Sequence, residues 1–578
     1  MRRSLTVALL CACGSPQPAA PPPARPEIDG LAPPLDDADK AIVRTAPAVT
    51  VGGVSTPLRY QVLARSGEPI AGVPYGAILD VTGHPVLGDD GAPVDCGGAD
   101  FTGLVQAHGA LFLTQHIECT PSAIYVTRLA QDPDGALRAV TTAPVDEAPV
   151  GGGVNHCAGQ ITPWGTHLGS EEYEPDARRI GADGALPSDD EGWHLMARYL
   201  GKPLSEVDPY DYGWLPELTI TSAEGSTSIV KHRAMGRFSH ELGLVLPDER
   251  TVYLSDDGSG GALFLFIADA PRDLSAGALF AARWQQTSDA EATLAWVPLG
   301  HTTDAEIAAL TRPARLRFSD LMDAADPVDG RCPDGLTSVR TMMGTECLRV
   351  KPGREIAASR LESRRYAALL GATTELTKSE GLAWDPGRRA VYLASSAVVG
   401  GMTAADPKGD AGGPDHLRLP RNACGVIWAL DGMTEAFGSG LVASRARVVV
   451  RGEERSYAGQ PGLERNSCDL DGIANPDNLA YIAEAGWLIV AEDTKRHENM
   501  VLWAIDVDSG AHKRLLTAPW GGELTGTSWS PSIGGFGYLT LTVQHPFRSG
   551  FVPEGARVPE GGTRTLTGVI GPFPALAR

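Results

Sequence analysis

A thiol followed closely by paired carboxylates can hold metal ions, and this chain has such an arrangement. Cys157 opens the run Cys157-Ala158-Gly159-Gln160-Ile161-Thr162-Pro163-Trp164-Gly165-Thr166-His167-Leu168-Gly169-Ser170-Glu171-Glu172. A thiolate is a strong ligand for iron, and neighbouring carboxylates can bridge cations. Taken alone, the run also reads as a buried thiol beside a solvated acid pair. Further acids sit in comparable settings downstream: Glu241 in Ser239-His240-Glu241-Leu242, Glu380 in Ser379-Glu380-Gly381-Leu382, Asp477 in Pro476-Asp477-Asn478-Leu479, and Glu523 in Glu523-Leu524-Thr525-Gly526. Hard cations such as calcium take carboxylate oxygens, and a net charge of −22 over 578 residues leaves acids in surplus. A solubilising surface accounts for such a charge as well. Either way, the charge repels nucleic acid and anionic lipid surfaces and argues against both as partners.

These acids belong to a loose internal repeat. A polar or acidic residue is followed by a short apolar strand, a turn, and a second strand ending in polar residues. Residues 239–244 lead to Thr251-Val252-Tyr253-Leu254-Ser255-Asp256-Asp257, and residues 379–386 lead to Val391-Tyr392-Leu393. Residues 476–479 lead to 487–493, and residues 523–526 lead to 538–545. Weaker copies start at Asp100-Phe101-Thr102-Gly103-Leu104, followed by residues 111–116, and near Asn155-His156-Cys157. Each unit reads as two adjacent strands of an antiparallel sheet. Six such units fit an all-β fold, a six-bladed β-propeller with short helical insertions. The composition agrees: 68 Gly and 44 Pro with 6% aromatics favour short strands and turns. Inner strands of a propeller converge on a channel, so an acid repeated at one place in several of them meets its counterparts on the axis. A single acid of this kind is more simply a turn-former.

Helices are expected only as insertions. Thr303 and Glu306 form a capping-box pattern opening a helix over 305–310. Helical periodicity over 354–370 ends at Gly371, and residues 187–204 hold another short candidate. Glu355, Arg360, Glu362, Arg364 and Arg365 read as a solvated helix face.

The N-terminus predicts export. Met1-Arg2-Arg3 is basic, Ser4 to Ala12 is short and mostly apolar, and Leu10-Cys11-Ala12-Cys13-Gly14 resembles a bacterial lipobox. The reading is a signal peptide over 1–12, with Cys13 carrying the lipid. Residues 13–48, rich in Pro and Ala, then form an extended tether, and the propeller domain spans 49–578. Arg2-Arg3 leaves Sec and twin-arginine export both open. The expected location is the bacterial cell envelope, with membrane contact only through the lipid anchor.

The 157–172 run closely resembles the Cys-Ala-Gly-Gly-x-Thr-Pro-Trp-Gly-Thr-x-Leu-x-x-Glu-Glu signature of the PhoX family of calcium- and iron-dependent alkaline phosphatases. Four further segments resemble that family in the same order. They are Gly236-Arg237-Phe238-Ser239-His240-Glu241, then Leu370-Gly371-Ala372-Thr373 with Lys378-Ser379-Glu380-Gly381, then Pro476-Asp477-Asn478-Leu479, then Glu523-Leu524-Thr525-Gly526 with Val543-Gln544-His545-Pro546. The resemblance implies a mixed iron–calcium cluster in the channel and hydrolysis of small phosphate esters. Carried over by motif, Cys157, Glu241 and Glu380 are iron-side ligands, while Glu172, Asp477 and Glu523 serve the calcium side or the shared cluster. Clustered cations neutralise phosphate charge and activate a nucleophile from water, so no Ser nucleophile or His base is required.

Three departures from the family pattern stand out. Lys378 replaces a phosphate-binding Arg, keeping the charge but losing the bidentate fork. In an extended strand, Lys378 and Glu380 would share a face. Gln115-His116-Ile117-Glu118 carries one residue more than the family's Asn-His-Glu segment, and His156 separates Asn155 from Cys157.

If Cys157 is a ligand, as the resemblance implies, six of the nine cysteines remain outside the signal region. The local pair is Cys332–Cys347, and Cys96–Cys119 and Cys424–Cys468 follow by elimination; export permits all three. No CxxC pair supports a structural zinc site. Two functions follow. One is a metal-dependent phosphomonoesterase, with diesters as further substrates. The other is a catalytically idle metal-binding propeller acting as a surface binding module, which the departures favour. A calcium-only lactonase-like propeller needs no thiolate, so Cys157 argues against it.

Overall fold

The second strands of the repeated units are buried along all or nearly all of their length because both of their faces are covered. Thr251–Asp256, Ala390–Ser395 and Trp487–Glu492 are buried at every position. Outer strands such as Leu137–Pro144 mix buried and exposed residues. This gradient belongs to sheets standing around an axis with neighbours on both sides. The structure, a computed structural model, describes residues 25–181, 184–187, 191–311, 315–404 and 413–576. Cys13 and the expected signal peptide lie outside the described residues.

Five antiparallel sheets carry the six blades of the ring. Blade 1 runs from the inner strand Ala99–Ala107 to Leu137–Pro144, and blade 2 from Gln160–Ile161 to Thr227–His232. Blade 3 begins at His240–Val245 and blade 4 at Ser379–Asp385. The long strand Glu291–Thr303 pairs with both blade 3 and blade 4, joining them into one nine-stranded sheet. Blade 5 begins at Pro476–Ile482 and blade 6 at Glu523–Ile533. Blade 6 takes its outermost strand, Arg59–Arg65, from the other end of the chain. A separate apolar cluster fills each gap between neighbours. Tyr392 and Ile427 of blade 4 meet Val490 and Trp503 of blade 5, and Leu113 and Leu129 of blade 1 meet Tyr538 and Val569 of blade 6. The ring is therefore closed by packing as well as by strand exchange.

The N-terminal segment differs from the expected tether. Residues 25–48 dock on the propeller, with Arg44–Thr45 pairing against Leu516 and Thr517 as a fifth strand of blade 5. Lys40 is buried and its ammonium lies 2.6 Å from Glu498. Its carbonyl accepts from Asn499 Nδ2 at 3.0 Å. Proline-rich composition prevents a core of its own but does not prevent adding a strand to an existing edge. The folded unit thus begins ahead of residue 49.

The insertions are helical where expected, with one reversal. Thr303 and Glu306 make the reciprocal capping bonds at 3.0 and 3.1 Å ahead of helix Asp304–Thr311, and a helix spans Glu191–Leu200. The 354–370 segment splits at Glu362 into Glu355–Leu361 and Ser363–Leu369. Glu355 is exposed as expected, but the other four charged residues are not a solvated face. Arg360, Glu362, Arg364 and Arg365 are buried. Arg364 binds Asp256 at 2.9 Å and Glu174 at 2.8 Å, and Arg365 binds Glu346 and Glu362 at 2.7 Å. The charges pair with acids of blades 2 and 3 and the Thr337–Val350 hairpin, partners that helical periodicity does not reveal.

Candidate metal centre

The acids reach the channel through one repeated backbone irregularity. In blade 1 the pairing steps from Ala99↔Ile117 to Thr102↔Gln115, so Asp100 and Phe101 together oppose His116. Blade 3 steps from His240↔Asp256 to Gly243↔Leu254, and blade 4 from Ser379↔Ser395 to Leu382↔Leu393. Blade 5 steps from Pro476↔Glu492 to Leu479↔Val490. The first residue of each bulge is Asp100, Glu241, Glu380 or Asp477. A bulge breaks the alternation of the strand and re-aims the side chain, here towards the axis. Cys157 lies just ahead of the inner strand of blade 2, and Glu523 starts the inner strand of blade 6. Glu118, Asp257 and Asp493 follow the ends of the second strands of blades 1, 3 and 5, and Glu172 follows that of blade 2.

Four overlapping groups of ligand atoms result, each within 4.8 Å: Asp100, Glu118 and Cys157; Cys157, Glu172 and Glu241; Glu241, Glu380 and Asp477; Asp477, Asp493 and Glu523. Shared members make them one arc around the channel. All six ligand candidates read from the sequence fall in it. Cys157 Sγ lies 3.2 Å from both Asp100 Oδ2 and Glu241 Oε2, and among the described residues Cys157 is the free cysteine. The other six form the disulfides Cys96–Cys119, Cys332–Cys347 and Cys424–Cys468. Cys96–Cys119 clamps the two chain segments that carry Asp100 and Glu118.

Sequence reasoning did not single out Asp100, Asp493 or Asp257 as site residues. Asp100 and Asp493 occupy places in the repeat equivalent to those of residues it did choose, so register was the available signal. Lys378 also differs from expectation. It is not extended: its φ is +51°, in the left-handed region. Its ammonium nevertheless meets Asp257 at 2.8 Å and Glu380 at 3.1 Å.

The electrostatics suit a cation site. Burial and then the Glu118 charge push Asp100 up to about 8. Burial and then Asp257 push Glu380 up to about 7. Burial, reinforced by neighbouring acids, also holds the Cys157 thiol and the Glu172, Glu241, Asp477 and Glu523 carboxyls well above their usual ranges. Asp257 runs the other way. Burial, the largest single influence, works to raise it, but the Lys378 charge together with hydrogen bonds from Glu172, Lys378 and Tyr173 holds it below the usual carboxylate range. Glu241 Oε1 and Asp257 Oδ1 are buried without a hydrogen-bond partner, a costly condition unless a cation satisfies them. Arg548, paired with Glu523 and 3.6 Å from Asp493, sits at the blade 6 end of the arc. The donor set of oxygens with one thiolate fits hard cations such as calcium together with a thiolate-accepting metal such as iron.

Known proteins resemble this chain in sequence and in fold. A family model described as alkaline phosphatase PhoX matches residues 131–546. The structure of Pseudomonas fluorescens PhoX in complex with vanadate, a transition state analogue, matches with a TM-score of 0.60 and 16% identity, covering 95% of this chain and 99% of that one. That likeness shows the propeller fold. A putative 6-phosphogluconolactonase from Bacteroides uniformis matches with a TM-score of 0.28 and 11% identity over 80% of this chain and 87% of its own. The Pseudomonas aeruginosa periplasmic gluconolactonase PpgL matches with 0.27 and 12% over 71% and 83%. No curated protein matches the chain.

Proposed function

Because the chain belongs to the family of alkaline phosphatase PhoX, a family of phosphatases, we propose that it hydrolyses phosphate esters at the channel mouth with iron and calcium held by the acid–thiol arc. The observation that carries this reading is the arc itself, in which overlapping ligand groups are buried together with far fewer cationic side chains than carboxylates. Cys157, Glu241 and Glu380 would hold iron. Glu172, Asp477 and Glu523 would hold calcium, with Asp100, Glu118 and Asp493 as further oxygen donors. When bound, such ions neutralise phosphate charge and activate a nucleophile from water.

The chain's own part is positioning. Lys378 presents its ammonium beside Glu380, where it can donate to a phosphate oxygen, and Asp257 anchors it from behind. Lys378→Ala should lower kcat/KM by about 10- to 100-fold, the scale of one lost charge-assisted hydrogen bond. Lys378→Arg should keep activity, and metal content should hold in both. The deciding experiment joins elemental analysis with hydrolysis of a chromogenic phosphate ester. Protein carrying neither iron nor calcium would refute the centre. Fully loaded protein that leaves every ester intact, unrescued by Lys378→Arg, would favour a binding module.

The proposed location is the bacterial cell envelope, with Cys13 as the lipid attachment point. Three disulfides suit an oxidising compartment. Among the described residues no helix is long and apolar enough to cross a membrane. Cys13→Ser should move the protein from the membrane fraction to the soluble one; retention in the membrane fraction would exclude this anchor.

A further inference from the structure

Two side chains at the channel rim stand on left-handed backbone. Tyr173 has φ +52° and Lys378 φ +51°, a region that residues bearing a Cβ avoid and an aromatic residue avoids strongly. Such strain survives where the surroundings over-determine it, and it gathers at functional sites. The two residues come from different parts of the ring, yet both reach one atom. The Tyr173 hydroxyl donates to Asp257 Oδ2 at 2.7 Å and the Lys378 ammonium donates to the same oxygen at 2.8 Å. Backbone bonds hold all three in place. Tyr173 N donates to Ser239 Oγ at 3.0 Å, Asp257 N to the Ser239 carbonyl at 3.0 Å, and Lys378 N to the Gly258 carbonyl at 2.9 Å.

The Tyr173 ring is left open by this arrangement. It is 48% exposed although its hydroxyl is tied to a buried carboxylate. Among the described residues no other ring packs against it. Its neighbour in sequence, Glu172, belongs to the metal arc. Because Lys378 and Tyr173 bond to one oxygen, an ester whose phosphoryl group meets Lys378 would carry its alcohol half beside this exposed ring.

We infer that Tyr173 is a specificity-determining residue: its hydroxyl holds Asp257, and through it Lys378, while its open ring receives the alcohol half of the ester. The inference rests on the phosphatase reading and on Lys378 as the phosphate contact. A flat aromatic wall stacks on aromatic and heterocyclic groups and gains little from a short polyol. The class of substrate this selects is the aryl or nucleoside monophosphate over the glycerol phosphate.

The test uses the metal-loaded full protein and two variants, Tyr173→Phe, which keeps the ring and loses the hydroxyl, and Tyr173→Leu, which loses both. Values of kcat and KM are measured on 4-nitrophenyl phosphate, adenosine 5′-monophosphate and glycerol 3-phosphate, with inhibition by inorganic phosphate measured alongside. Metal content and Tm verify that both variants fold. Tyr173→Phe should weaken inorganic phosphate inhibition about 3- to 10-fold and leave the order of the esters unchanged. Tyr173→Leu should weaken phosphate equally and raise KM by a further factor of about 10 for the two aromatic esters only. Unchanged phosphate inhibition in Tyr173→Phe overturns the positioning role. Equal losses on all three esters in Tyr173→Leu overturn the wall. A wild type that hydrolyses none of the esters removes the phosphatase reading, and this inference with it. A wild type that hydrolyses all three equally removes this inference alone.

Discussion

The sulfur of Cys157 lies 3.2 Å from a carboxylate oxygen of Glu241, although 84 positions separate the two residues. A buried thiol against a buried carboxylate is unfavourable unless protons or cations intervene. This contact ties blade 2 to blade 3 at the centre of the arc.

Replacing that sulfur should separate the two kinds of metal. Cys157→Ser is expected to lose iron, and with it any thiolate-to-metal charge-transfer absorption, while keeping most of its calcium through the carboxylates. Elemental analysis and the visible spectrum check this. Full iron content in the variant would show that the thiolate is not a ligand.

Metal removal should make stability depend on pH with a definite sign. In the metal-free protein Asp100 is pushed up to about 8 and Glu380 to about 7, against about 4 in an unfolded chain. Between these values the folded state keeps protons that the unfolded chain has released. Stability of the chelated protein therefore falls as pH rises from about 4 to about 8. Calcium should flatten the dependence by taking the place of those protons. Thermal melts across this range, with chelator and with calcium, read the difference. A chelated protein as stable at the alkaline end as at the acidic end would contradict the buried-acid account.

Arg548 is a cation already present at the blade 6 end of the arc, bonded to Glu523. Removing it while keeping the bulk of its stem, as in Arg548→Met, should free the Asp477, Asp493 and Glu523 group for calcium. The expected gain is about 5-fold in affinity, equivalent to ~1 kcal/mol for a partly exposed ion pair. Calorimetric titration of the chelated protein measures it. A weaker affinity would mean that Arg548 orders the ligands and does not compete with the ion.

The Cys424–Cys468 disulfide closes a separation of 44 residues. The Cys424 carbonyl accepts from Asn475 N at 2.9 Å, two residues ahead of Asp477. The double serine variant should lose about 4 kcal/mol of stability, the chain-entropy scale for a loop of this length. It should also weaken metal binding at Asp477. Denaturant unfolding and calcium titration test the two effects separately, and a variant with native calcium affinity would uncouple the disulfide from the centre.

Much of the centre was readable from short segments. Pro476-Asp477-Asn478-Leu479 and the 157–172 run show residue type and local order, and the repeat shows that six units share one plan. Those features are local, so they survive in a linear pattern. The charged residues 360–365 were misread because helical spacing says which residues share a face but not what covers it. The 25–48 segment was misread because composition reports whether a stretch can build a core, not whether it can pair with an edge supplied from elsewhere.

The sequence by itself therefore determined the ligand types, their order and the six-fold repetition. The tertiary structure alone decided which of those side chains meet. Alternation along a strand would not by itself send Asp100, Glu241, Glu380 and Asp477 to the axis; a bulge, defined only by pairing with the next strand, aims them there. Asp100 touches Thr525 across 425 positions because Arg59–Arg65 closes blade 6 and brings the first blade against the last. Tyr173, Asp257 and Lys378 converge because blades 2, 3 and 4 stand side by side on the ring. Proximity on a ring is set by closure, and closure belongs to the whole chain rather than to any segment of it.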